Sequence, residues 1–250
     1  MVRAAALLLG LALTTALATP AVAPEDVATA AYRAGRYDTA QTLWHDELRA
    51  AQASPERARL AYNIGNAAYR QGHVQEAVGW YTAALRLTPR DPDVWANLEL
   101  ARTESGLEPA DRGDLAATTK RLVAALTLAE AEWLVIGLML VLAACLGGEA
   151  LRGGKLWSRL ALGALLLVAL ALAPLAWNSV HAGGQPMMVI SKRAVPARTE
   201  PRPDAKRITE LAPGLELERL DALPGWVKVA APGGLELWVR DAAVFDLSIE

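Results

Sequence analysis

Two long apolar runs separated by a basic break constrain this chain more than any other feature. Trp133 to Leu151 is almost wholly apolar, with Glu149 as its one charge, and Leu160 to Trp177 carries no charge at all. Helices of about 18–20 residues match a hydrocarbon layer of about 30 Å. Neither run is striped, as the buried face of a soluble helix would be. Between them lies Arg152-Gly153-Gly154-Lys155-Leu156-Trp157-Ser158-Arg159, which is short, flexible and positive. The pattern predicts a two-helix transmembrane hairpin over 132–178, with spans at 132–151 and 158–178. Two spans joined by a tight loop enter and leave on the same side. Basic residues in short loops stay cytoplasmic, so Arg152, Lys155 and Arg159 put both flanking segments on the far side. Trp133, Trp157 and Trp177 stand near the span ends as interfacial anchors, and Pro174 falls in the last turn of the second span.

The N-terminus points the same way. Residues 1–18 read as a signal peptide: Arg3 gives the positive start, Ala4 to Leu17 the apolar stretch, and Ala16-Leu17-Ala18 the small-x-small cleavage pattern. Cys145 is the only cysteine and sits inside the first span, so no intramolecular disulfide and no cysteine catalysis is expected.

Residues 24–110 read as a helical repeat domain. The clearest unit, Ala58 to Asp91, has the period of about 34 residues found in tetratricopeptide repeats. Asn63-Ile64-Gly65-Asn66-Ala67 opens its first helix, Gln71-Gly72 makes the turn, Ala77-x3-Tyr81-x2-Ala84 sets the second helix, and Pro89 ends it. Gly65 and Ala77 allow two antiparallel helices to approach closely, and Gly72 suits the turn. Before this unit, Ala31-Tyr32-x2-Gly35-x-Tyr37-x2-Ala40-x3-Trp44 repeats the same turn and second helix. After it, Pro92-x2-Trp95-x2-Leu98 starts a third pair that decays past Gly106. These motifs strongly resemble the tetratricopeptide family. A helix over 111–131 is expected to connect the stack to the membrane. First helices of such stacks line a concave groove, and Asn63, Asn66 and Arg70 share one helical face there. In peptide-binding relatives, residues of these types clamp a backbone or a carboxylate.

From 186 to 250 the pattern changes to short strands. Met187 to Ser191, Leu215 to Leu220, Trp226 to Ala230 and Leu235 to Arg240 have β character, with turns at Pro213-Gly214, Pro224-Gly225 and Pro232-Gly233-Gly234. A small closed all-β barrel follows. Gly225-Trp226-Val227-Lys228-Val229 and Leu237-Trp238-Val239, with Arg198 upstream, resemble a bacterial SH3-like domain. Leu237 replaces the usual Gly, and the family's Ser-Gly-Pro turn reads Thr199-Glu200-Pro201. Trp226 and Trp238 are candidate exposed platforms for a glycan or peptide.

No catalytic or metal-binding constellation is visible. His45, His73 and His181 are scattered, and there is no Gly-x-Ser-x-Gly, phosphate-cradling loop or His-Glu-x-x-His. A formal net charge of −2 supplies no field for nucleic acid. The fold class is therefore multidomain: tetratricopeptide stack, transmembrane hairpin and SH3-like barrel, with no cofactor and no enzymatic activity expected.

That order of parts, with Tyr62-Asn63-Ile64-Gly65-Asn66-Ala67-Ala68-Tyr69 and Asp91-Pro92-Asp93-Val94-Trp95-Ala96-Asn97-Leu98, resembles the BatE-type proteins of bacterial aerotolerance operons. The resemblance implies partners that are membrane proteins with von Willebrand factor A-type domains, a MoxR-type ATPase system, and a link to oxidative or envelope stress. It implies an inner-membrane scaffold with both soluble domains in the periplasm. The alternative is an envelope tether whose SH3-like domain binds peptidoglycan or a wall-associated ligand.

Overall fold

A computed structural model describes residues 26–109, 118–119, 122–123, 125–182 and 184–249. The expected signal peptide and most of the expected connecting helix lie outside these residues. Among the described residues, seven helices are followed by seven strands. The helices are α1 (Val27–Arg33), α2 (Tyr37–Ala50), α3 (Ser54–Arg70), α4 (Val74–Leu87), α5 (Pro92–Glu104), α6 (Leu128–Arg152) and α7 (Lys155–Ala182). The strands are β1 (Pro186–Val189), β2 (Val195–Arg198), β3 (Arg207–Leu211), β4 (Glu216–Leu223), β5 (Trp226–Ala231), β6 (Leu235–Arg240) and β7 (Val244–Asp246).

Helices α1 to α4 are two antiparallel pairs, and α5 is a single further helix. The turns at Gly35 and Gly72 both have positive φ, 78° and 81°, which glycine adopts without a Cβ penalty. Helix α3 begins at Ser54, with Pro55 in its first turn, so Asn63 to Ala67 lies well inside it rather than at its start. Asp91 caps α5 by accepting from the backbone N–H groups of Asp93 and Val94. Close packing follows from the small residues. A Cβ on Gly65 would meet Tyr81 Cε1 at 2.7 Å, and Ala77 and Ala84 are fully buried.

Helices α6 and α7 form the hairpin, and both are long and apolar enough to cross a membrane. They extend beyond the expected spans. Helix α6 starts at Leu128 with a capping box between Thr127 and Glu130, so it absorbs the end of the expected connector. Helix α7 continues past Pro174 to Ala182, which leaves the proline inside the helix rather than in its last turn. The pair meets along small residues: Ala161, Ala164, Val168 and Ala171 are buried at spacings that keep one face, with Cys145 buried on α6. At the turn, the Trp157 ring fills the space where Gly148 lacks a Cβ, 2.6 Å from that position. Glu149, the charge in the first run, accepts a hydrogen bond from Ser158 Oγ at 2.7 Å. Trp133 is exposed at the start of α6, whereas the side chain of Trp177 lies outside the described residues.

The strands make one antiparallel sheet in the order β3-β2-β6-β5-β4-β1-β7. Val195, Leu211, Leu217, Val227, Val229, Leu237, Val239 and Val244 share one core, so strands from opposite edges curl round the same interior. The sheet is open between β3 and β7 rather than hydrogen-bonded into a closed barrel. Strands β2, β3 and β7 are additional to the expected four. They are short and mostly lie at the edges, and Pro196 interrupts the strand pattern of β2, so periodicity alone is weak there.

The β domain is packed on the repeat stack. The Phe245 ring sits over Gly79 of α4 and meets Trp80 edge-on, with ring centroids 5.1 Å apart. Met188 and Leu247 are buried in the repeat-domain core, with Ile190 and Ile249 against it. Arg57 of α3 donates to the backbone carbonyl of Ile249. Trp80 also touches His45 of α2, so this contact lies on the side of the second helices. Arg90, in the loop between α4 and α5, pairs with Glu130 in the first turn of α6 at 2.6 Å. Through Phe245, Met188 and Leu247, the segments before and after the hairpin meet.

Candidate functional site

The first helices leave a cavity of about 130 Å³ on the opposite side of the stack. Tyr32 of α1, Asn66, Tyr69 and Arg70 of α3, Tyr81 of α4, and Asn97 and Leu100 of α5 line it. Each of the first helices α1, α3 and α5 thus contributes at least one residue to a single hollow. Asn66 and Arg70 belong to it. Asn63, one turn earlier on α3, is half-buried and lies outside the lining. Asn97, Tyr32 and Tyr69 complete the hollow. Their signal lay in the repeat itself: Asn97 follows Asn63 by one 34-residue period, and Tyr69 follows Tyr32 by the same 37 residues that separate Gly35 from Gly72.

Hydrogen bonds fix the polarity of the two amides. Asn66 Oδ1 accepts from Tyr81 OH at 2.8 Å and from Asn97 Nδ2 at 2.9 Å. Asn97 Nδ2 also donates to Tyr62 OH at 3.0 Å. The oxygen of Asn66 and the nitrogen of Asn97 are thereby engaged. That leaves Asn66 Nδ2 as a donor and Asn97 Oδ1 as an acceptor. Burial holds the Tyr81 phenol well above its ordinary range, so it stays protonated and donates. Burial also raises Tyr32, an effect opposed by Arg70. The Arg70 guanidinium lies 4.9 Å from the centre of the Tyr37 ring, and Tyr69 OH donates to Glu104 at 2.6 Å. The hollow therefore combines an aromatic wall, a cation at its mouth, and one donor and one acceptor within.

The two tryptophans of the β domain differ from each other. Val227, Val229, Leu237 and Val239 point into the sheet core, so Trp226 and Trp238 point outward by strand alternation. Trp226 is nonetheless only 6% exposed, because the Arg240 guanidinium lies 4.3 Å over its ring. Trp238 is half-buried, opposite Lys228 on β5 and Arg198 on β2. Only Trp238 offers ring surface.

Paired antiparallel helices stacked about a polar hollow are the architecture of helical-repeat domains, whose concave surfaces are typically used for protein interaction. In particular, a tetratricopeptide repeat family model matches residues 26–92, which spans α1 to α4 and the cap of α5. Comparison with curated proteins finds no match to the chain. Among the described residues, no group of three or more His, Cys, Asp or Glu is placed to hold a metal ion.

Proposed function

We propose that this protein is a non-enzymatic adaptor of the bacterial inner membrane, of the BatE type, whose repeat groove holds an extended segment of another membrane protein. The carrying observation is the opposed polarity of Asn66 and Asn97. A residue in an extended peptide presents its N–H and C=O to the same side. One would donate to Asn97 Oδ1 and the other accept from Asn66 Nδ2. Arg70 at the mouth suits a carboxylate on the same segment, and Asn63 extends the face by one turn. In this reading the partner is a membrane protein with a von Willebrand factor A-type domain, working with a MoxR-type ATPase in an aerotolerance or envelope-stress complex. Both soluble domains face the periplasm, in keeping with Arg152, Lys155 and Arg159 at the turn. The alternative of a wall-binding β domain has less to rest on, because Arg240 covers Trp226.

Asn66 supports Tyr81 and Asn97, so replacing it would disturb packing as well as binding. Arg70→Glu with Leu100→Arg alters the mouth and leaves the core untouched. Recovery of the von Willebrand factor A-type partner from detergent extracts should fall at least tenfold, with circular dichroism unchanged. Full recovery would remove the groove as the binding site. Phosphatase fusions test the orientation: activity at Gly153–Gly154 would reverse it.

A further inference from the structure

The β2–β3 hairpin of the β domain is strongly basic. Residues 192–207 carry six basic side chains, Lys192, Arg193, Arg198, Arg202, Lys206 and Arg207, against Glu200 and Asp204, in a chain whose net charge is −2. They lie on the β2–β3 hairpin and the loop leading into it. Sheet order puts this hairpin at one edge and β7, which contacts the stack, at the other. Val195, Ala197 and Leu211 hold the hairpin to the core, so the basic groups are free to project outward. Arg202 pairs with Glu200 and Arg207 with Glu210, each at 2.8 Å, and Arg198 donates to the Ala205 carbonyl. Lys192, Arg193 and Lys206 are exposed and have no acidic partner within 4.0 Å among the described residues. One or two charges are enough to protect a sheet edge from stray pairing. Six exceed that need.

We infer that this hairpin is a docking surface for anionic phospholipid headgroups. The tether supports that choice over a soluble polyanion. Three residues, Gly183 to Gln185, separate β1 from the membrane-length helix α7. A domain of about 65 residues has a radius of gyration of about 11 Å. The hairpin is therefore confined near a bilayer surface at high effective concentration. Each basic residue near such a surface contributes roughly fivefold to association, and salt screens it. The inference holds for either leaflet and does not depend on the occupant of the repeat groove.

The full chain in lipid nanodiscs tests it. Acylation rates of Lys192 and Lys206 should be at least threefold lower in phosphatidylglycerol than in phosphatidylcholine, and the difference should vanish at high salt. Lys228, paired with Glu236 at 2.6 Å, serves as the internal reference. Arg193→Gln with Arg202→Gln should reduce the lipid difference while leaving Lys228 unchanged. Equal rates in both lipids would overturn the proposal. So would protection that appears only when soluble glycan-strand fragments are added, which would assign the surface to the wall.

Discussion

Replacing Gly79 with alanine should have opposite effects on stability depending on whether Phe245 is present. In the native chain, the new Cβ would lie 2.7 Å from Phe245 Cγ and 2.8 Å from Cδ1. These atoms are at the base of the ring, and Trp80 bounds it edge-on, so the ring cannot simply swing away. Overpacking of this kind costs roughly 1–3 kcal/mol. Alanine also gains about 1 kcal/mol over glycine inside a helix. The net effect in the native chain is a loss of about 0–2 kcal/mol, expressed as weaker docking of the β domain. In a Phe245→Ala background the obstacle is gone and only the helical gain remains. A shift of 1 kcal/mol moves Tm by about 2–4 °C in a protein of this size. Thermal melts of the four-member cycle in detergent, followed by tryptophan fluorescence, should show Gly79→Ala lowering Tm in the native chain and raising it by about 2–4 °C without Phe245. The same sign in both backgrounds would refute the docking contact, since an isolated repeat stack has no reason to sense Phe245.

Alkaline pH should loosen the groove. The Tyr81 phenol is raised by burial, so its neutral form is the one the fold favours; that stability is complete below the unfolded value near 10 and declines as pH rises above it. Helical content measured from pH 9 to 11.5 should therefore fall at the top of the range in the native chain. A Tyr81→Phe variant, though less stable at neutral pH, should lose less over the same interval, and parallel curves would argue against it. Ala77→Trp should cost roughly 1–3 kcal/mol or more, because Ala77 is fully buried between α3 and α4. An unchanged melt of that variant would mean the helix register is misassigned.

Much of the architecture was legible because it repeats or alternates. The 34-residue period located Gly72, Ala77 and Tyr81, and the run of apolar residues located the hairpin. Where the reasoning ran short, the cause was contact across long stretches of chain. Periodicity placed Asn66 on the groove face but could not say that its oxygen turns to Tyr81 and Asn97. The two Trp-Val pairs suggested aromatic platforms, yet Arg240, directly across the β5–β6 ladder, covers one of them. Nothing local marks Gly79 as a seat for Phe245, since neither residue breaks its own helical or strand pattern.

The distance along the chain between that seat and its occupant bears on how the protein is made. Phe245 follows Gly79 by about 170 residues, with both membrane-length helices in between. At synthesis rates of about 5–20 residues per second, the interval is roughly 10–35 s. During that time Trp80 and Gly79 stand without their Phe245 cover, while the hairpin and the last strands are made. The repeat stack is thus an unfinished object on its own schedule, and a chaperone that meets the growing chain has a defined apolar patch, and a defined window, in which to hold it.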